Sequence, residues 1–303
     1  GEFADSLRVA GIAPVSGRGR VQAWAGLQAH RVVSVHADAA LEDVVLRGAP
    51  LDAARPAPAL DFGNVSLDAR WSGSIRQWQA SASRLRIGGG GREQVLDGLA
   101  VAGGRHYGLR ARRLDATPLI ALLASSDRLA PGLRHWLQAA AAGAVLENVE
   151  VAGVRGGALR VDADVHGLHF AAVGNSPGMR GVDAQLRGDA DGLRLRFEPG
   201  APVAFDWPAG FGVEHEVSLG GEAVLWREGA GWTVHTPGLA ILGRPLDVNA
   251  RGGIGFGNDG TRPRLDLAVD IGEAPVTLAR QFWVHHLMPK STVDWLNGAL
   301  QGG

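Results

Sequence analysis

Apolar and polar residues alternate along most of this chain with a period of two. Val65, Leu67, Ala69 and Trp71 alternate with Ser66, Asp68 and Arg70, and Leu159, Val161, Ala163 and Val165 with Arg160, Asp162 and Asp164. The rhythm returns in Val182, Ala184 and Leu186, in Leu193, Leu195 and Phe197, in Leu246, Val248 and Ala250, and in Leu265, Leu267, Val269 and Ile271. Successive side chains of a strand point to opposite faces, so the pattern predicts strands with one apolar and one wet face. That is the habit of antiparallel sheets. Turn formers punctuate the runs at Gly103-Gly104, Gly156-Gly157, Asn175 to Gly178, Asp191-Gly192 and Asn258-Asp259-Gly260. Turns one strand length apart predict hairpins in a meander of roughly sixteen strands. At His166-Gly167 the apolar parity slips to Leu168 and Phe170, which predicts a bulge.

Two segments break this rhythm. Leu133, Trp136, Leu137 and Ala140 recur at helical spacing, and Thr292, Trp295, Leu296 and Ala299 repeat them 159 positions later. Ahead of each lies an apolar stretch opened by proline, Thr117-Pro118-Leu119-Ile120 or Ala274-Pro275-Val276-Thr277, with Pro131 or Pro289 between the two stretches. Each copy reads as a helix, a break and a second helix. Pro118 and Pro275 suit a first turn, and Gly143 and Gly302 suit C-terminal caps. Trp136, Leu137, Trp295 and Leu296 are expected to anchor the helices to the sheet. The organisation this gives is sheet over 1–116, a helix pair over 117–143, sheet over 144–273 and a second helix pair over 274–303.

Sixteen strands at a spacing of ~4.8 Å make a ribbon on the order of 75 Å wide. A helix of about twelve residues is only ~18 Å long. The helix pairs cover a small part of the apolar face, so either the sheet folds onto itself or something outside the sequence covers the rest. The expected fold is mainly β: a long, curved, antiparallel meander sheet forming an open, taco-like apolar groove, with two short helix pairs. Val65, Leu67, Ala69, Trp71, Leu159, Val161, Ala163, Val165, Val182, Ala184, Leu186, Leu193, Leu195, Phe197, Leu246, Val248, Leu265, Leu267, Val269 and Ile271 are its candidate lining.

Composition narrows the function. Apolar residues are 46% of the chain, and the net charge is −1. A balanced charge lacks the basic stripe that nucleic-acid binding needs. The chain has no cysteine, which removes disulfides, thiolate catalysis and thiolate zinc sites together and suits an oxidising compartment. No run reaches the ~18 apolar residues of a spanning helix. The start at Gly1-Glu2-Phe3, without methionine and suggestive of a cloning scar, and the stop at Gln301-Gly302-Gly303 read as an internal fragment of a longer protein. Missing targeting signals therefore say little about the parent.

The chemical motifs give way to plainer readings. Gly174-Asn175-Ser176-Pro177-Gly178 matches the G-x-S-x-G nucleophile pattern, but that motif needs a helix after the serine, and an alternating run begins at Gly181 instead. A hairpin turn fits better. Adjacent residues on a helix point about 100° apart, so His285 and His286 cannot share one metal there. Asp189-Ala190-Asp191-Gly192 begins like a calcium loop, but Gly200 stands where the twelfth-position glutamate belongs. Gly88 to Gly91 lack the Lys-Ser or Lys-Thr of a phosphate loop. The expectation is a non-enzymatic chain with no catalytic residue, cofactor or metal.

The second helix pair carries a resemblance. Ala274-Pro275-Val276, Leu287-Met288-Pro289 and the run Val293-Asp294-Trp295-Leu296-Asn297-Gly298-Ala299-Leu300-Gln301-Gly302 resemble the recurring element of the YhdP family of AsmA-like envelope proteins. Pro118 to Gly143 looks like an earlier occurrence of it. The resemblance implies a piece of a bridge-type lipid carrier, anchored in the inner membrane of a Gram-negative bacterium and extending through the periplasm. In such a carrier phospholipid acyl chains slide along the apolar face of a β-groove, supporting outer-membrane lipid homeostasis and the permeability barrier. Phospholipid and other envelope proteins are its implied partners. Two other readings stand beside it: a structural β-sandwich or spacer with a closed core, and a hydrolase using Ser176.

Overall fold

The computed structural model describes residues 8–51, 57–74, 76–89, 92–229, 231–243, 247–257, 264–273 and 288–299. The chain is mainly β, with antiparallel strands and short helices. It divides into two compact units, Gly1–Asp164 and Val165–Gly303.

In the first unit β1 (Ala13–Gln28), β2 (Arg31–Arg47), β3 (Ala59–Gly73), β4 (Trp78–Gly89), β5 (Arg92–Gly103), β6 (His106–Asp115) and β7 (Gly143–Val154) pair in chain order. Directly opposed residues share a face. Val35, Ala37, Ala39 and Leu41 of β2 oppose Trp71, Ala69, Leu67 and Val65 of β3, which in turn oppose Ala80, Ala82, Leu85 and Ile87 of β4. The apolar parity of β4 changes between Ala82 and Leu85. A register shift at Asp68/Ala69 absorbs the change, so the face stays apolar through the slip.

Helices α1 (Ala116–Ser125) and α2 (Pro131–Ala140) separate β6 from β7. Asp115 caps α1, its Oδ1 accepting from the Thr117 N–H at 2.9 Å. Replacing it with alanine should cost ~1 kcal/mol, seen as lost amide protection in the first turn of α1. The last carbonyls of a helix have no partner within it. Here the Leu123 carbonyl accepts from the Ser126 hydroxyl at 2.7 Å, and the Ser125 carbonyl from the Ala49 N–H at 2.7 Å. The Ala124 carbonyl accepts from Arg134 Nε at 3.1 Å and Gln138 Nε2 at 3.0 Å. Arg134 also donates from Nη1 to the Pro50 carbonyl at 3.0 Å and from Nη2 to the Ala49 carbonyl at 2.5 Å. Its side chain thus bolts both helices to the segment that leaves β2. Gly48 permits the approach, because a Cβ there would lie 2.7 Å from the Ser125 Cβ.

Two helix details differ from the sequence reading. α2 is seated on Arg134, which is 4% exposed, and Ala140. Trp136 and Leu137 are half-buried, while Leu133 faces out. The expected stripe has turned because the buried guanidinium has three carbonyls to meet. The left-handed residue that ends α2 is Ala141 (φ 46°), and Gly143 already opens β7.

The second unit continues the pattern with β9 (Gly178–Asp189), β10 (Gly192–Phe197), β11 (Pro202–Asp206), β12 (Glu214–Glu228), β13 (Gly231–Gly243), β14 (Asp247–Phe256) and β15 (Arg264–Ile271). The preceding strand, β8 (Leu159–Phe170), straddles the division between units. Its Gly167 has a left-handed φ of 59°, the backbone form of the predicted slip. β10 and β11 lie between β9 and β12 and pair with both, so two short strands share one lane. Pro199 and Pro202 flank the break between them. Val182, Val203 and Leu219 form a buried cluster with Leu168, Met179, Phe197, Val217 and Ile241 packed on it. In each unit the strand path stays open among the described residues: β1 pairs only with β2, and β15 only with β14.

Fifteen strands are formed by the described residues. Helix α3 (Lys290–Ala299) holds Trp295, which is exposed, and Leu296, which is half-buried. The helix expected from Ala274-Pro275 onward, with His285 and His286, lies outside the described residues, as does Gly302.

Candidate functional site

The apolar faces are the candidate site. In the first unit the predicted β3 positions Val65, Leu67, Ala69 and Trp71 are half-buried. Register joins them to residues the sequence reading passed over, Val35, Ala37, Ala39 and Leu41 on one side and Ala80, Ala82, Leu85 and Ile87 on the other. The row through Trp71 and Ala80 continues to Val101, Leu109 and Val151. The end of the strands beside the helix pair is covered: Phe62, Leu96, Leu114, Ala124, Ala140 and Ala144 are all buried. Toward the β1–β2 turn the apolar residues are open, with Val21, Leu27 and Val32 exposed.

The second unit has the larger open surface. Leu265, Leu267, Val269 and Ile271 of β15 oppose Ile254, Gly252, Ala250 and Val248 of β14. These oppose Val234, Thr236, Leu239 and Ile241 of β13. The four β15 residues are 45–65% exposed, from Leu267 to Leu265. Trp232 and Phe256, opposed in register, are exposed on the same face. Gly252 has φ +115° and faces Leu267, and a Cβ there would collide with the Asp266 carbonyl. The backbone itself is therefore the floor beneath Leu267. Leu193 on β10 is also exposed.

The predicted lining thus divides by cover. Ala163, Val165, Val182 and Ala184 are buried in packed protein. Leu159, Val161, Leu186, Leu195, Phe197 and Val248 are half-buried, and Phe197 belongs to the cluster around Val182. Leu246 lies outside the described residues. A strand partner of unknown register is not readable from one sequence, so the opposed residues on β2, β4 and β13 were missed, and of those on β14 only Val248 was in the predicted lining. Their own alternation was the signal that could have found them.

The opposite faces are wet and carry exposed ion pairs such as Arg110–Glu150 at 3.4 Å and Arg251–Asp270 at 3.9 Å. Pairs this exposed add little stability but keep the face hydrated. Ser176 sits in a tight turn, its N–H donating to the Val173 carbonyl at 3.0 Å and its carbonyl accepting from the Val173 N–H at 3.2 Å. β9 follows, not a helix. Asp189 Oδ1 accepts from the Asp191 and Gly192 N–H groups at 2.9 and 3.1 Å, which closes the β9–β10 turn. Among the described residues no three His, Cys, Asp or Glu side chains are grouped to hold a metal ion.

A family model described as YhdP protein matches residues 3–303. The chain belongs to the YhdP family. No curated protein and no solved structure matches it. Membership makes this YhdP-family chain a bacterial envelope protein and is consistent with a role in lipid transport there. In this YhdP-family chain the apolar strand faces of both units are the candidate working surface. No helix among the described residues is long and apolar enough to cross a membrane.

Proposed function

We propose that this YhdP-family chain is a periplasmic stretch of a non-enzymatic phospholipid carrier whose parent is anchored in the inner membrane. Acyl chains rest on the apolar strand faces while the headgroup stays in water. The observation that carries this reading is the β13–β15 face, where register aligns Trp232, Val234, Ile254, Phe256, Leu265, Leu267, Val269 and Ile271 and leaves most of them exposed. Soluble proteins seldom leave so many adjacent large apolar side chains open unless something binds them. Each buried methylene is worth ~0.8 kcal/mol, so an acyl chain of about sixteen carbons gains on the order of 10 kcal/mol by leaving water. Nothing in that transfer calls for a catalytic group or a cofactor.

The packed cluster around Val182, Val203 and Leu219 favours a second reading, a spacer with a closed core. Native mass spectrometry of the chain purified from bacterial membranes, followed by uptake of a fluorescent phospholipid, separates the two. Bound phospholipid and saturable uptake are expected. A lipid-free chain that takes up no probe would overturn the carrier in favour of the spacer.

A further inference from the structure

We propose that the wet face of the first unit carries a carbohydrate-binding trough. A recess of about 870 Å³ crosses all seven strands from β1 to β7. Two transverse rows of side chains line it; the row between them, Val35, Trp71, Ala80, Val101, Leu109 and Val151, borders it by its backbone, since by strand alternation its side chains stand on the opposite, apolar face. The first row passes by direct register partners from Trp24 and His36 through Arg70 and Ser81 to Arg110 and Glu150. The second is small at nearly every step, with Gly26, Ser34, Ser72, Gly108 and Ala152, and only Gln79 rises from it. The first row is tall at its two ends and low in the middle, at Ser81 and its register partner Ala100, so the recess is a trough walled by Trp24, His36 and Arg70 at one end and Arg110 and Glu150 at the other. Six strand spacings of ~4.8 Å give it a length of about 29 Å, which suits an extended oligomer better than one small molecule.

The groups present point to the chemical class. Trp24 is 53% exposed, and its ring stacks on His36 at 5.3 Å and 29°. His36 Nε2 lies 3.4 Å from Asp68 Oδ1. The alignment there is too poor for a hydrogen bond, so the nitrogen is left without a partner in hydrogen-bond geometry. Gln79 Nε2 donates to Ser72 Oγ at 3.2 Å. Arg70 stands between His36 and Ser81 in register. An open indole face, hydroxyls, an amide and guanidinium donors match the apolar ring faces and equatorial hydroxyls of sugars. Arg110 is paired with Glu150, which leaves Arg70 as the one guanidinium of the lining without an acidic partner among its register neighbours, too little positive charge for a polyanion such as nucleic acid. A peptide would need a free strand edge or deep apolar pockets, and the trough lies mid-sheet, where β2 to β6 are paired on both sides. The second unit has, on its own, a recess of about 880 Å³ with the same ingredients: Trp226 against His235 at 6.0 Å, with Arg251, Arg264 and Asp266.

The test is calorimetric titration of the 303-residue chain with chitohexaose, cellohexaose and maltohexaose. At least one is expected to bind, and Trp24→Ala and Arg70→Ala are each expected to weaken it about tenfold or more, a loss of the size one good contact carries. Circular dichroism should be unchanged, since both side chains are exposed. Should Trp24→Ala fail to fold, Arg70→Ala and Gln79→Ala carry the test. Leu267→Asp, on the apolar face of the other unit, should leave sugar binding as it was, so the trough and the lipid reading fail separately. No binding of any of the three sugars, binding undiminished in the folded variants, or preference for an unrelated peptide over all three would overturn the proposal.

Discussion

Replacing Leu267 and Val269 together with aspartate is expected to reduce phospholipid uptake at least ~tenfold while the chain still folds. Both side chains are about half exposed on β15, so the substitutions desolvate no charge in the lipid-free protein. Their cost to the fold is the poor strand preference of aspartate, about 1 kcal/mol each. An acyl chain laid on that face would have to cover two carboxylates, and covering even one ion costs several kcal/mol. Since ~1.4 kcal/mol is tenfold in affinity, a loss of at least that size follows. Val182→Asp is the contrast. Val182 is 3% exposed in a packed cluster, and an unpaired carboxylate there should cost more than ~4 kcal/mol and unfold the second unit. Fluorescent-lipid titration with urea unfolding of both variants checks the pair. If Leu267→Asp/Val269→Asp folds and takes up lipid like the parent, the β13–β15 face is not the binding surface.

Arg134→Ala is expected to cost about 3–5 kcal/mol, since each buried carbonyl left without its donor costs ~1–3 kcal/mol. The Ala49 and Pro50 carbonyls lose this donor, and the Ala124 carbonyl keeps only Gln138. The guanidinium also lies at the C-terminal end of α1, where the helix dipole favours a cation. Lysine should recover part of the loss, because one ammonium cannot reach three diverging carbonyls with the geometry of a planar fork. Hydrogen exchange is the suitable readout. Protection should fall in α1, α2 and the segment around Ala49 together, and remain in the second unit. Unchanged protection in α1 would mean that the helix pair is held by its apolar contacts alone.

The strands were legible because their signal is local. Alternation in Val65 to Trp71 or Leu265 to Ile271 fixes which side chains share a face, whatever the partner strand. The family was legible for the same reason, since Trp295-Leu296 with the flanking proline and glycine is a contiguous run. Arg134 was not legible. One charged residue among Leu133, Trp136 and Leu137 looks solvent-exposed until the carbonyls of Ala49 and Pro50, far off in sequence, are brought beside it. The split of β10 and β11 was hidden likewise, because a proline-flanked break in one lane looks like a turn between two lanes.

By itself the sequence determined strand periodicity, the meander order that short turns impose, the absence of cysteine chemistry and the family. The tertiary structure decided which apolar residues are covered. Ala163, Ala184 and Val182 have the same alternation as Leu265 and Val269, yet the first three are packed inside protein and the last two are open. Period two sets only the face on which a side chain stands. Whether that face meets protein or solvent depends on contacts between residues distant in the chain, such as those that bring Val203 and Leu219 onto Val182.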